Sequence, residues 1–323
     1  MKILITGGAG FIGSNFVHYM LKKHPTYEIV VMDKLTYAGR KENLQDILNQ
    51  TTFIKGDITK KEDVENAIKN CDWIVNFAAE THVDRSILEA GTFVLTDVLG
   101  VYNLLQAARK FDISKFEQIS TDEVYGHILK GSFKEKDKLN PRNPYSASKA
   151  SGELLCQAYF ETYGLPIIVT RSSNNYGPYQ HPEKLVSKAI IYSLLDKPIP
   201  VYGRGENVRD WLYVEDNCEA IDLVLHRGKL GEIYNIAAKQ EFKNIQVVKI
   251  ILKLTNKPET LIKFVQDRPG HDLRYSLNTK KIQELGWKPQ TRFKDGIKKT
   301  VEWYRHNVEW WKPIIDREQT NFR

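Results

Sequence analysis

Cysteine is scarce in this chain: three in 323 residues, at positions 71, 156 and 218. The number is odd, the spacing is wide and no C-x-x-C pair occurs. A disulfide scaffold and a cysteine-based zinc module are therefore excluded as organising devices, and no metal is expected. Reduced thiols serving as small buried hydrophobes are expected instead. Long apolar runs are missing as well. No stretch of 18 apolar residues occurs, so no transmembrane helix and no membrane partner is predicted. Gly7 interrupts the first apolar run too early for a secretory signal core, which points to the cytoplasm. Repeats and low-complexity segments are absent. With 41% hydrophobic and 27% charged residues, collagen-like and disordered classes are excluded.

Acid falls short of base: 40 Asp and Glu stand against 47 Lys and Arg, a net charge of +7. Residues 280–323 hold 11 basic and 6 acidic side chains, so most of the excess lies in one C-terminal region. No basic-aromatic motif accompanies it, and nucleic acid is not an expected partner.

What is present is strand and helix in alternation. Apolar runs at 2–6, 28–33, 52–55, 73–78, 116–121 and 166–171 read as strands. Amphipathic stretches at 11–24, 60–69, 92–110 and 145–163 read as helices between them. That order predicts an α/β fold with a doubly wound, Rossmann-like parallel sheet. Beyond residue 172 turn-rich segments set in, and helices are expected near 185–195, 214–227, 244–255 and 293–310. The chain thus divides into a first domain, 1–172, and a smaller C-terminal α/β lobe, 173–323, with segments crossing between them.

Gly7, Gly10 and Gly13 follow the first strand and open the first helix in a G-x-x-G-x-x-G array. Gly7 allows a tight turn, Gly10 lets a pyrophosphate approach the backbone, and Gly13 lets helix and strand pack closely. Asp33 ends the second strand, 20 residues after Gly13. An acid there accepts from the adenosine ribose hydroxyls and repels a 2′-phosphate, which favours NAD over NADP. Asp57 and Ile58 follow the third strand, where an adenine edge would lie.

Tyr145 and Lys149 stand at i and i+4, on one helical face. A free phenol titrates near pH ~10, and a nearby ammonium is expected to lower that value. Oxidation of an alcohol requires such a base for the hydroxyl proton. Asp122 and Glu123, in Ser120-Thr121-Asp122-Glu123-Val124-Tyr125-Gly126, follow the fifth strand, where ligands of open α/β sheets bind.

The glycine loop, Asp33 and Tyr145-x-x-x-Lys149 resemble the extended short-chain dehydrogenase/reductase family. The likeness runs through Asn174-Asn175-Tyr176-Gly177-Pro178 and Arg209-Asp210-Trp211 and covers nearly the whole chain. Family members act mostly on nucleotide-sugars with tightly held, recycled NAD. Within the family, Asp122-Glu123 resembles the acid pair of the dTDP-glucose 4,6-dehydratases. The resemblance implies that Tyr145 and Thr121 work at C4 of the sugar. Glu123 takes the C5 proton, and Asp122 protonates the oxygen leaving C6. It further implies cofactor contacts from Phe11, Ile12, Lys34, Leu35 and Thr36, from Ala78, Ala79 and Glu80, and from Thr96 and Asn175, besides the residues above.

On the substrate side the resemblance implies dTDP-glucose as partner. It is held by Asn174, Lys184 and Leu185, by Pro200, Val201 and Tyr202 near the base, and by Asn244, His271 and Tyr275. Arg209 and Arg268 suit a pyrophosphate through bidentate pairing. His82 is either a sugar contact or a structural histidine. The resemblance also implies a homodimer built from two helices of each first lobe, around 92–110 and 145–163. Gly152-Glu153, Ser187 and Asn217 depart from the common dehydratase pattern. A UDP-glucose dehydratase, a 4-epimerase, a UDP-glucuronate decarboxylase and a non-catalytic NAD sensor are the rival readings.

Overall fold

The computed structural model describes residues 1–320. The chain begins with β1 (Lys2–Thr6), α1 (Phe11–Lys23), β2 (Glu28–Asp33), β3 (Thr51–Lys55), α2 (Lys61–Ala67) and β4 (Trp73–Asn76). Two short helices, α3 (Val83–Leu88) and α4 (Ala90–Val94), lead through a π-helical stretch at Leu95–Gly100 into α5 (Val101–Lys110). Then come β5 (Lys115–Thr121), α6 (Pro144–Tyr163) and β6 (Ile167–Ser172). The second half supplies β7 (Asn174–Tyr176), α7 (Leu185–Leu194), β8 (Ile199–Tyr202), β9 (Val208–Tyr213) and α8 (Val214–Arg227). It continues with β10 (Ile233–Ile236), β11 (Glu241–Lys243), α9 (Asn244–Thr255) and β12 (Ile262–Val265). It closes with α10 (Lys280–Glu284), α11 (Phe293–His306) and α12 (Val308–Thr320).

Seven strands form one parallel sheet in the order β10-β6-β5-β4-β1-β2-β3. The expected doubly wound α/β fold is present. Such a sheet is covered on both faces, so its strands are near-continuous apolar runs. Within β1 the side chains alternate: Ile3 and Ile5 pack with Phe16 of α1 and Ile221 of α8, while Leu4 packs with Leu105 of α5. β10 and α8 come from the second half of the chain yet build this first lobe. A separate core of Tyr176, Ile190, Trp211, Val247, Phe293 and Tyr304 holds the second lobe.

The single helix expected over 92–110 is three segments. The π turn at Leu95–Gly100 carries Thr96 and Asp97 toward the sheet, and π turns recur at functional sites. Gly100 and Gly152 mark close packing there. A Cβ would lie 2.5 Å from Ile58 Cδ1 at the first and 2.7 Å from the Asp97 carbonyl oxygen at the second. Among the described residues no helix is long and apolar enough to cross a membrane.

Candidate active site

The glycine array forms a strand-to-helix turn. Gly7 has φ +66°, and a Cβ there would lie 2.5 Å from the Ala78 nitrogen. A Cβ on Gly13 would lie 2.3 Å from the Gly7 carbonyl oxygen, so only glycine lets α1 meet β1 this closely. Gly10 precedes α1 without any side-chain cap, and the first turn has no acidic residue. An uncapped helix start presents free N–H groups and partial positive charge, which fits a pyrophosphate. Each Asp33 oxygen accepts one backbone N–H, from Leu35 at 2.8 Å and from Ala9 at 3.0 Å. A carboxylate oxygen has a second lone pair, so both remain able to accept from ribose hydroxyls. Lys34 pairs with Asp57 at 2.8 Å and joins the ends of β2 and β3. These features fit NAD.

Tyr145 and Lys149 lie on the buried face of α6. Asn143 caps that helix by accepting from Ser146 N at 2.9 Å, and Pro144 follows it at the first position. Lys149 donates to the Ile119 carbonyl at 2.7 Å. Burial lowers its ammonium's pKa, and Asp97 and Glu153 act in the opposite sense. Asp97 accepts from Glu80 N at 3.1 Å and from Ser148 Oγ at 2.6 Å. Burial pushes its carboxyl up to about 6, against the pull of Lys149. The phenol departs from expectation. Burial, then Glu123 and Asp97, hold Tyr145 well above the usual phenol range, and the nearby Thr121 hydroxyl acts in the opposite sense. The sequence shows a lysine at i+4 but not the carbonyl to which that lysine donates.

Asp122 and Glu123 open a tight helical turn at the carboxyl end of β5. Asp122 is 2% exposed, and its Oδ2 has no hydrogen-bond partner. Burial, then the neighbouring Glu123, push its carboxyl well above the ordinary carboxylate range. Glu123 Oε2 accepts from Asn143 Nδ2 and from the Tyr275 hydroxyl, both at 3.4 Å. Two carboxyls therefore stand side by side at the end of β5, and burial biases Asp122 toward its protonated form.

One cleft gathers most of the expected residues. It is lined by Gly7, Gly10, Phe11, Ile12 and Gly13, by Asp33, Lys34 and Thr36, and by Asp57 and Ile58. Ala78, Ala79, Glu80 and Thr96 continue the lining toward Thr121, Asp122, Glu123, Tyr145 and Lys149, with Asn174, Asn175 and Lys184 opposite. Leu35 stays outside the lining and contributes its N–H to Asp33. His82 is also outside: its ring accepts from Arg85 N at 3.4 Å and caps α3, which is the structural alternative. Leu185 begins α7 and packs on the second core.

The remaining substrate-side residues form an adjoining cluster rather than cleft wall. Tyr202 donates to Asp84 at 2.8 Å, Arg268 reaches Asp84 at 3.3 Å, and His271 stands edge-on to Tyr202. Pro200 and Val201 belong to β8 beside them, and Asn244 Oδ1 is buried without a partner. Arg209 is 4% exposed, donates to the Val208 and Asp272 carbonyls and lies over the Tyr275 ring. The two expected phosphate arms are thus turned onto protein groups.

Residues not expected also face the cleft. Tyr37 donates to Glu183 at 2.9 Å, and Arg85 lies 3.7 Å over the Tyr37 ring. This closes the cleft between the loop after β2 and the loop before α7. Asn143 and Asp97 were missed too; only the Asn-Pro cap signal marks the first in sequence. The departures from pattern have local partners. Glu153 forms a buried ion pair with Arg171 at 2.5 Å and accepts from Ser120, behind the catalytic strand. Ser187 donates to the His181 carbonyl, and Asn217 accepts from Ser172.

A doubly wound nucleotide-binding lobe with Tyr145, Lys149 and an acid pair at its strand ends defines an extended short-chain dehydrogenase/reductase. The chain belongs, more narrowly, to the family described as GDP-mannose 4,6 dehydratase, whose model matches residues 4–300. It is 50% identical over 306 residues to the low-salt glycan biosynthesis protein Agl12 of Haloferax volcanii, spanning 94% of this chain and 98% of that one. It is 47% identical over 321 residues to a dTDP-glucose 4,6-dehydratase of Streptomyces niveus, spanning 97% and 96%. The crystal structure of DesIV, a dTDP-glucose 4,6-dehydratase of Streptomyces venezuelae with NAD bound, matches with a TM-score of 0.95 at 45% identity. That match covers 97% of this chain and all of the other.

Proposed function

We propose that this chain is an NAD-dependent hydro-lyase that converts dTDP-glucose into dTDP-4-keto-6-deoxyglucose. The observation that carries the reading is the buried Asp122 beside Glu123 at the carboxyl end of β5, where burial favours a proton on Asp122. The names of the relatives and the NAD in DesIV agree with it. When bound, NAD accepts the two electrons removed at C4 and returns them at C6. The chain's residues handle the protons. Tyr145 takes the C4 hydroxyl proton, with Thr121 facing the same cleft. The resulting ketone acidifies the C5 proton, which Glu123 removes. Asp122 gives its proton to the oxygen leaving C6, and C5 regains a proton from Glu123 as hydride arrives at C6. The first lobe holds the cofactor, and the 173–323 lobe grips the nucleotide, with Arg268 exchanging Asp84 for the pyrophosphate.

An alkali-developed 4-keto chromophore after incubation with dTDP-glucose is the expected result. The same signal from UDP-glucose or GDP-mannose alone would reassign the nucleotide. Silence with all three would overturn dehydration itself.

The same reading makes the chain a cytoplasmic homodimer whose product feeds deoxysugars such as rhamnose. Three buried free cysteines suit a reducing compartment. Val94, Leu95, Leu99, Tyr102, Leu154 and Tyr163 are exposed along α4 to α6, an apolar surface of the kind that partners cover. Sedimentation at twice the chain mass, reduced to the chain mass by Leu154→Lys, is expected. A monomeric wild-type chain would remove this part.

A further inference from the structure

At the far end of the first lobe, α1 and α8 finish side by side. His24 caps the end of α1, and Asp222 and His226 stand four apart on α8. The His226 ring packs edge-on against Trp73, the first residue of β4. The cluster therefore lies at the amino ends of the strands, away from Asp122 and Tyr145. Asp222 Oδ1 is 2.8 Å from His24 Nε2 and 3.0 Å from His226 Nδ1. The three donor atoms all lie within 4.8 Å of one another.

We propose that His24, Asp222 and His226 bind one divalent zinc-class ion. Zinc takes imidazole and carboxylate donors at about 2.0–2.1 Å, and a tetrahedral site places such donors roughly 3.3 Å apart. Each histidine nitrogen needs to move from the Asp222 oxygen by only about half an ångström or less, and the two imidazole nitrogens already lie within 4.8 Å of each other. Three protein ligands leave a fourth position, and both imidazoles are partly exposed, so water completes the shell. The outer contacts are in place as well. Tyr27 lies 3.0 Å from His226 Nε2, and Tyr19 donates to Asp222 Oδ2 at 3.4 Å. His226 Nδ1 also lies 2.8 Å from the Asp222 backbone carbonyl; an ion on Nδ1 replaces that contact, and the His226 proton then sits on Nε2, where the Tyr27 oxygen accepts it. Partners of this kind orient metal ligands, and losing one costs about 10–100-fold in affinity. The site is invisible in the sequence because 198 residues separate His24 from Asp222, and it departs from the expectation of no metal.

The test uses the full chain with its NAD, stripped by chelator and titrated with Zn²⁺ by calorimetry, then with Co²⁺ by visible absorption. One ion per chain, a tetrahedral cobalt spectrum and a raised melting temperature are expected. His24→Gln and His226→Gln each weaken binding at least tenfold, and Tyr27→Phe weakens it about tenfold. Turnover stays at the wild-type level in all three, since none touches the active site. Circular dichroism of the metal-free variants separates lost binding from lost folding, and the cobalt spectrum of the wild type reports its ligands independently. No stoichiometric ion in the wild type would leave the cluster a hydrogen-bonded clasp and overturn the proposal. Equal affinity in folded His24→Gln and His226→Gln would overturn it too.

Discussion

Replacing Tyr145 by Phe is expected to cut turnover by about a hundred- to ten-thousand-fold while NAD stays bound. The substitution removes one oxygen from a residue that is only 9% exposed and leaves the ring against Phe93, so the fold is kept. What is lost is the hydroxyl that takes the C4 proton. The environment bears on how the phenol is ionised. Burial, Glu123 and Asp97 all disfavour phenolate. Lys149 supplies an ammonium, but it donates to Ile119 and faces Asp97. A bound oxidised nicotinamide would bring further positive charge to this end of the cleft and favour ionised Tyr145. Tyrosinate absorbance in the wild-type protein should appear at lower pH with NAD than without it, and Tyr145→Phe should abolish that difference. Turnover in Tyr145→Phe at the wild-type rate would remove Tyr145 as the base.

The phenol also shows where sequence reading stops. Spacing reveals that Tyr145 and Lys149 share a helical face, because the α-helix repeats at a known interval. It does not reveal what else claims the ammonium, since Ile119 lies 30 residues earlier and Asp97 arrives through a π turn. The limits of β1, β2, α8 and α9 were legible because apolar runs and caps are local signals. The place of β10 beside β6 was not, since strand neighbours are chosen by packing across 60 or more residues. In the site, the glycine loop, Asp33 and Asp122-Glu123 were legible because each is a contiguous motif. Asn143, Tyr37 and the inward turn of Arg209 depend on partners distant in sequence and became visible only in the fold.

Glu123→Gln and Asp122→Asn should split the reaction at different steps. Both changes nearly conserve volume, so neither opens a cavity. In Glu123→Gln the amide oxygen can still accept from Asn143 and Tyr275, but it cannot remove a proton. Losing the neighbouring charge relaxes Asp122 only partly, because burial is the larger cause of its raised pKa. Asp122 therefore keeps its proton and C4 oxidation continues. Reduced cofactor absorbance should accumulate while exchange of the C5 hydrogen with deuterated solvent falls about a hundred- to ten-thousand-fold. Asp122→Asn gives the converse pattern. Glu123 still exchanges the C5 hydrogen, but the C6 oxygen lacks its acid, so chromophore formation slows while exchange persists. The two readouts together identify which carboxyl is the base. Retained C5 exchange in Glu123→Gln, with exchange lost in Asp122→Asn, would reverse the two roles. The reversed order would also run against burial, which raises the Asp122 pKa and suits it to the acid's role rather than the base's.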